Sequence, residues 1–117
     1  MAPAIREGFL TGSPIPPIFI IDGHDVAIFA SIEEAQLHLE PIDVKNQQYV
    51  AFDAEGRLLR IEVEHGRIKA QLEEKESTHR GDLEAALRQY LRELKDPAGE
   101  DQRCDLPYLV QAGHKYI

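Results

Sequence analysis

The side chains best suited to chemistry in this chain are one cysteine, five histidines and 21 acidic residues. Cys104 has His114 ten positions downstream, a thiol–imidazole combination in which the histidine would serve as base to a cysteine nucleophile. The segment around Cys104 also carries Glu100, Asp101 and Asp105. Negative charge there raises a thiol pKa and opposes thiolate formation, so the pattern reads as a free cysteine in a polar tail. His24 lies between Asp22 and Asp25 in one turn. That grouping suits a metal or acid–base work, and it equally suits a solvated turn whose residues serve the backbone. His65 falls in a hairpin loop, and His38 falls near a helix end, where the dipole favours its charged form. With His79 and His114 they form neither HxH nor HExxH, so no metal site is expected.

The carboxylates cluster as Glu33 and Glu34; Glu62 and Glu64; Glu73, Glu74 and Glu76; Glu100, Asp101 and Asp105. A catalytic acid pair needs two buried groups whose environments push their pKa values apart. Glu62 instead has Arg57, Arg60 and Arg67 nearby in sequence, and cross-strand charge pairing accounts for that neighbourhood. No glycine-rich run ends in Gly-Lys-Ser/Thr, no GxGxxG follows a strand, and no Gly-x-Ser-x-Gly elbow is present. The chain therefore reads as a non-enzyme without a cofactor.

Lysine and arginine number 13 against the 21 acids, a formal charge of −8. Such a surface repels a phosphate backbone and steers basic proteins towards itself, which argues against nucleic acid and for a protein partner. A membrane helix needs about 20 apolar residues. The longest apolar run, Ile15 to Ile21, is broken by Pro16 and Pro17. Residues Met1 to Leu10 include Arg6 and Glu7 and lack an apolar signal core. One cysteine also precludes an intrachain disulfide. A cytoplasmic location is the expectation.

The elements that must position these groups follow from the pattern. Residues 1–17, rich in glycine and proline, read as a flexible lead-in, 18–95 as the domain and 96–117 as a tail. Ile18 to Ile21 and Val26 to Phe29 form a hairpin about Asp22-Gly23-His24-Asp25. Ser31 caps a helix with Glu34 at the capping-box spacing; Ile32, Ala35, Gln36 and Leu39 share a face, and Pro41 stops it. Three strands follow, Gln48 to Asp53, Arg57 to Val63 and Arg67 to Glu73, joined by loops holding Gly56 and Gly66, each read as a three-residue turn. Their alternation predicts an antiparallel sheet with one wet face. Leu83, Ala86, Leu87, Tyr90, Leu91 and Leu94 mark a second helix from about Asp82 to Lys95. Leu106 to Val110 is expected as a last edge strand or a packed loop. The expected class is α+β: an antiparallel sheet of about five strands with two helices on one face, in the order β-β-α-β-β-β-α, and its polar face open.

From Ser31 to Val63 the chain resembles small bacterial immunity proteins encoded beside polymorphic or contact-dependent toxins. The carriers are the capped helix ending in Leu39-Glu40-Pro41, the strand Tyr49-Val50-Ala51-Phe52-Asp53, and Gly56-Arg57-Leu58. The stretch FDAEGRL also resembles the tyrosine–aspartate repeats of large toxin shells, although one copy cannot build a shell. The first resemblance implies a non-enzymatic inhibitor of a cognate toxin, and it carries over no site residues. Its partner-binding surface is expected around Glu62, Glu64, Glu73, Glu74 and Glu76, or along the helix edge at Glu33 and Glu34. The alternatives are a small-molecule pocket between sheet and helices, with the His24 turn as its reactive corner, and a homo-oligomeric regulatory module pairing through a strand edge.

Overall fold

The computed structural model describes residues 13–23, 25–46 and 48–116. Strand β1 (Ile18–Asp22) returns as β2 (Asp25–Phe29), with Gly23 in the left-handed region at φ 61°. Strand β3 (Val50–Phe52) continues into β4 (Leu58–Glu64) and β5 (Arg67–Leu72). All pairs are antiparallel, in the order β2-β1-β3-β4-β5, so the five-stranded antiparallel sheet is as expected. The β4–β5 turn is tighter than its expected three residues. Glu64 pairs with Arg67, and the loop is His65–Gly66 alone, at φ 52° and 76°. Two positive φ values in succession match the right-handed twist of the strands they join.

Among the described residues there are four α-helices and a 3-10 turn, where two helices were expected. Helix α1 (Ile32–His38) has the anticipated cap, with Ser31 Oγ accepting from the Glu34 N–H at 3.1 Å. Pro41 follows α1 but also opens the short α2 (Pro41–Lys45), because its fixed φ suits the first helical position. Helix α3 (Arg80–Glu93) buries Leu83, Leu87 and Leu91. The 3-10 turn Pro97–Gly99 leads to α4 (Leu106–His114). The expected strand or loop from Leu106 to Val110 is thus corrected to helix. Asp105 accepts from the Tyr108 N–H at 3.2 Å, Pro107 lies in the first turn, and Leu106, Leu109, Ala112 and Gly113 bury one stripe.

The placement of the helices is the larger correction. They cover both faces of the sheet. On one face Phe19 and Phe52 meet Leu83, Leu87, Leu91, Leu106 and Leu109 of α3 and α4. On the other, Ile18, Ile20, Ala51 and Leu59 meet Ala35 and Leu39 at α1. A strand buried on both sides has no polar alternation, which is why Ile18-Phe19-Ile20-Ile21 is continuously apolar. The open polar face survives only on β4 and β5, where Arg60, Glu62 and Glu64 stand opposite Gln71, Lys69 and Arg67. No described helix is long and apolar enough to cross a membrane.

Candidate partner-binding surface

The acids singled out from the sequence divide between two places. Glu33 and Glu34 lie exposed in the first turn of α1. Glu62, Glu64 and Glu73 alternate with Ile61, Val63 and Leu72, which face the α1 side, so they project from the opposite face. There they are matched by cations: Arg60 lies 3.4 Å from Glu62 and 3.5 Å from Glu73, and Lys69 lies 3.6 Å from Glu64. Glu74 accepts from the Thr78 hydroxyl and sits 3.5 Å from His79 Nε2. Glu76 is exposed on the following loop. The β4–β5 face is a mixed-charge lattice, and exposed ion pairs of this kind contribute about 0–1 kcal/mol each.

Helices α1 and α2 present a different surface. Leu37 is 87% exposed and Ile42 65% exposed, the two most exposed large apolar side chains among the described residues. Their helices carry Glu33, Glu34 and Asp43, with exposed Glu40 between them, against one lysine, Lys45. Beside Leu37 an open groove of about 520 Å³ runs to the start of β5, bordered by Glu33, Gln36, Leu39, Arg67 and Ile68. From the segment after α2, Tyr49 donates its hydroxyl to Asp43 at 3.0 Å. Burial, and then Asp43, push that phenol's pKa up.

Gln36 completes the groove in a way that its place on the apolar face of α1 did not announce. Its Oε1 accepts the Ala70 N–H at 2.8 Å. Glu64 and Arg67 close a two-residue turn, so Arg67, Lys69 and Gln71 bond inwards to β4 while Ile68, Ala70 and Leu72 point outwards. Gln36 therefore caps the outer edge of β5 at its middle residue. The same reasoning on β2 sends Asp25, Ala27 and Phe29 inwards to β1 and leaves Val26 and Ile28 outward. No side chain among the described residues caps that edge.

The groups considered for catalysis are elsewhere. Cys104 belongs to the α3–α4 core, a correction to its reading as part of a polar tail. Its thiol pKa is pushed up by burial first and by Asp101 second. His114 is the last residue of α4 and exposed. Asp22 and Asp25 are exposed register partners, and His24 between them lies outside the described residues. No group of three or more His, Cys, Asp or Glu among the described residues is placed to hold a metal ion.

The most heavily bonded charges among the described residues escaped sequence reasoning. Asp53 and Arg57 are both fully buried, with Arg57 Nε donating to Asp53 Oδ2 at 2.8 Å. Asp53 also accepts from the backbone N–H groups of Ile15, Glu55 and Arg57, and Arg57 Nη2 donates to the Ser13 carbonyl at 2.7 Å. The pair thus pins the β3–β4 turn to the chain leading into β1. Arg57 Nη1 has no hydrogen-bond partner among the described residues. The signal was the spacing Asp53-Ala-Glu-Gly-Arg57, a turn-forming aspartate with an arginine four positions on. Arg88 works similarly, donating from Nη1 to the Asp101 carbonyl at 2.7 Å and from Nη2 to the Cys104 carbonyl. Asp96 caps the 3-10 turn through the Ala98 N–H and receives Tyr116 Oη and Lys115 Nζ. Those three donors, led by the Ala98 amide, lower its pKa to about 2.

Comparison with protein-family models, with curated proteins and with solved structures finds no match.

Proposed function

We propose that this chain is a non-enzymatic binding protein, an immunity-type inhibitor that neutralises a cognate bacterial toxin domain in the cytoplasm. One observation carries the reading: Leu37 and Ile42 stand out into solvent from α1 and α2 among Glu33, Glu34, Glu40 and Asp43. An exposed leucine fully buried by a partner supplies about 1.5–3 kcal/mol. Carboxylates around it raise the encounter rate with a basic protein and disfavour acidic ones. The resemblance over Ser31 to Val63 covers this same helix pair, and the −8 charge acts in the same direction at long range.

The test is co-expression with the product of the neighbouring gene. The reading expects the product to be toxic alone and harmless with this chain, and a Leu37→Asp, Ile42→Asp double variant to lose about 10- to 100-fold in affinity, in line with the loss of central apolar anchors. Full protection by that variant would remove α1–α2 from the interface, and no protection by the native chain would remove the function. The groove beside Leu37 supports a second reading, a small-molecule-binding domain. A thermal-shift screen of metabolites addresses it, and a melting temperature unmoved by every compound would count against it.

A further inference from the structure

We infer that the groove between α1 and β5 receives an amphipathic helix of the partner, basic along one flank and acidic along the other. The inference deepens the inhibitor reading and rests on it for the partner's identity. The groove has two unlike walls. Glu33, Gln36 and Leu37 border it from α1, at the three- and four-residue spacing of one helix face, and Gly66, Arg67 and Ile68 border it at the start of β5. A second open groove of about 590 Å³ shares Gln36, Arg67 and Ile68 with the first and adds His65 and Lys69, so the depression continues round the edge of the sheet. Leu37, 87% exposed, and Ile68 supply its apolar part. Glu33 stands exposed on one wall and Arg67 on the other. Lys69 lies 3.6 Å from Glu64, which offsets it, and Arg67 gives the β5 wall its charge.

Two observations select the occupant. The first is the backbone. A peptide strand added to β5 would need the outward amide of Ala70, and Gln36 Oε1 already accepts from it at 2.8 Å. A helix satisfies its own backbone and docks through side chains alone, so it suits this groove. The second observation is charge. A uniformly basic segment would meet Arg67, and a uniformly acidic one would meet Glu33, whose neighbour Glu34 is also exposed. A helix that turns apolar residues into the groove, cations to the α1 wall and carboxylates to the β5 wall is matched throughout. The −8 charge draws a basic partner in from a distance, and the groove then asks that partner for one acidic flank.

The probe is the fluorescein-labelled peptide LKELKAELKELKAE, whose leucines form one helical stripe with lysines along one side and glutamates along the other. It is compared with LKKLKAKLKKLKAK and LEELEAELEELEAE in about 0.15 M salt, where a Debye length of about 8 Å limits the pull of distant charge. Anisotropy titration with the full chain should show saturable binding, about tenfold or more tighter for the mixed peptide than for either of the others. Arg67→Glu should transfer the preference to the all-lysine peptide and Glu33→Lys to the all-glutamate one, while Leu37→Asp should weaken the mixed peptide about tenfold. The readout is a ratio of peptides on one protein sample, so a partly folded variant leaves it unchanged. Tightest binding of the all-lysine peptide by the native chain would reduce the effect to net charge. A preference unmoved by Arg67→Glu and Glu33→Lys would place the peptide elsewhere. Either result overturns the inference, as does a lack of saturable binding. A native dimer in light scattering, lost in Leu37→Asp, would assign the groove to a second copy and overturn it too. Protection against the neighbouring product without the peptide preference breaks this inference alone. The preference without protection breaks the inhibitor reading alone.

Discussion

The two edges of the sheet are built to opposite specifications. β5 alternates charged and apolar residues, stands beside arginine and lysine, and has its central outward amide covered by a glutamine from a helix. β2 is apolar from Val26 to Phe29 and has no described cap. Bare, flat, apolar edges invite pairing with other chains, and natural proteins blunt them with charge, cover or curvature. Among the described residues a specific hydrogen bond guards one edge and none guards the other.

The widest-reaching way to break this contrast is to remove the frame that both edges share. Asp53→Ala leaves Arg57 buried without its counter-charge, a loss of about 3–5 kcal/mol. Hydrogen exchange measured on β2 and β5 should then accelerate together; a change confined to one edge would show that the sheet is not one cooperative unit. A smaller perturbation lies away from both edges. Asp96→Ala removes the 3-10 cap and the acceptor for Lys115 and Tyr116, about 1–2 kcal/mol. The same carboxylate sets a pH dependence. Its folded pKa of about 2 lies below the ordinary 3.8, so its contribution is present above pH 4 and is lost as the pH falls towards 2. Melting at pH 5 and pH 2 should differ more for the native chain than for Asp96→Ala, and equal pH responses would remove Asp96 as a cause.

The sharpest test of the contrast itself is Gln36→Ala. It uncovers the Ala70 amide at a cost of about 1 kcal/mol. Exchange at Ala70 should rise while Val26 and Ile28 stay as they were, and light scattering should show whether an uncovered β5 now self-associates. An unchanged Ala70 amide would mean that Gln36 is no guard. The smallest expected effect belongs to His79, whose pKa is raised by Asp82 first and Glu74 second. Its contribution is present below the unfolded value near 6.5 and is lost as the pH rises through the raised one. Because the group is partly exposed, only a slight fall in melting temperature is expected across that window, and it should vanish in His79→Gln without altering either edge.

The hairpins were legible because period-two alternation, a glycine in each turn and a capping box are local signals. The Ser31 cap and the Leu83-Leu87-Leu91 stripe are read from neighbours a turn or two away. The fourth helix was hidden by its proline, which opens a helix as readily as it ends one, and by the weak local pull of nine residues stabilised by the α3 side of the core. Cover on both faces was hinted at only by the unbroken apolar run of β1. The buried Asp53–Arg57 pair and the Gln36 cap depend on contacts 38 and 34 positions apart, to Ile15 and Ala70, which no local window contains. The acids chosen as an interface were chosen by count. Geometry put some of them beside arginine and lysine and left Glu33 and Glu34 near the exposed leucine.

Gly56 and Gly66 share the same φ of 76°, yet their tolerance of replacement should differ sharply. A side chain at Gly66 would project into open space, so the only obstacle is the backbone angle, which asparagine accepts at modest cost. At Gly56 a methyl group would lie 2.7 Å from the Cα of Arg80, against the backbone at the start of α3. The β3–β4 turn and α3 are thus fitted to each other by the lack of a single carbon atom. Across a set of diverged sequences sharing this fold, the first glycine would be close to fixed and the second free to drift, although a local reading of the two turns treats them as the same.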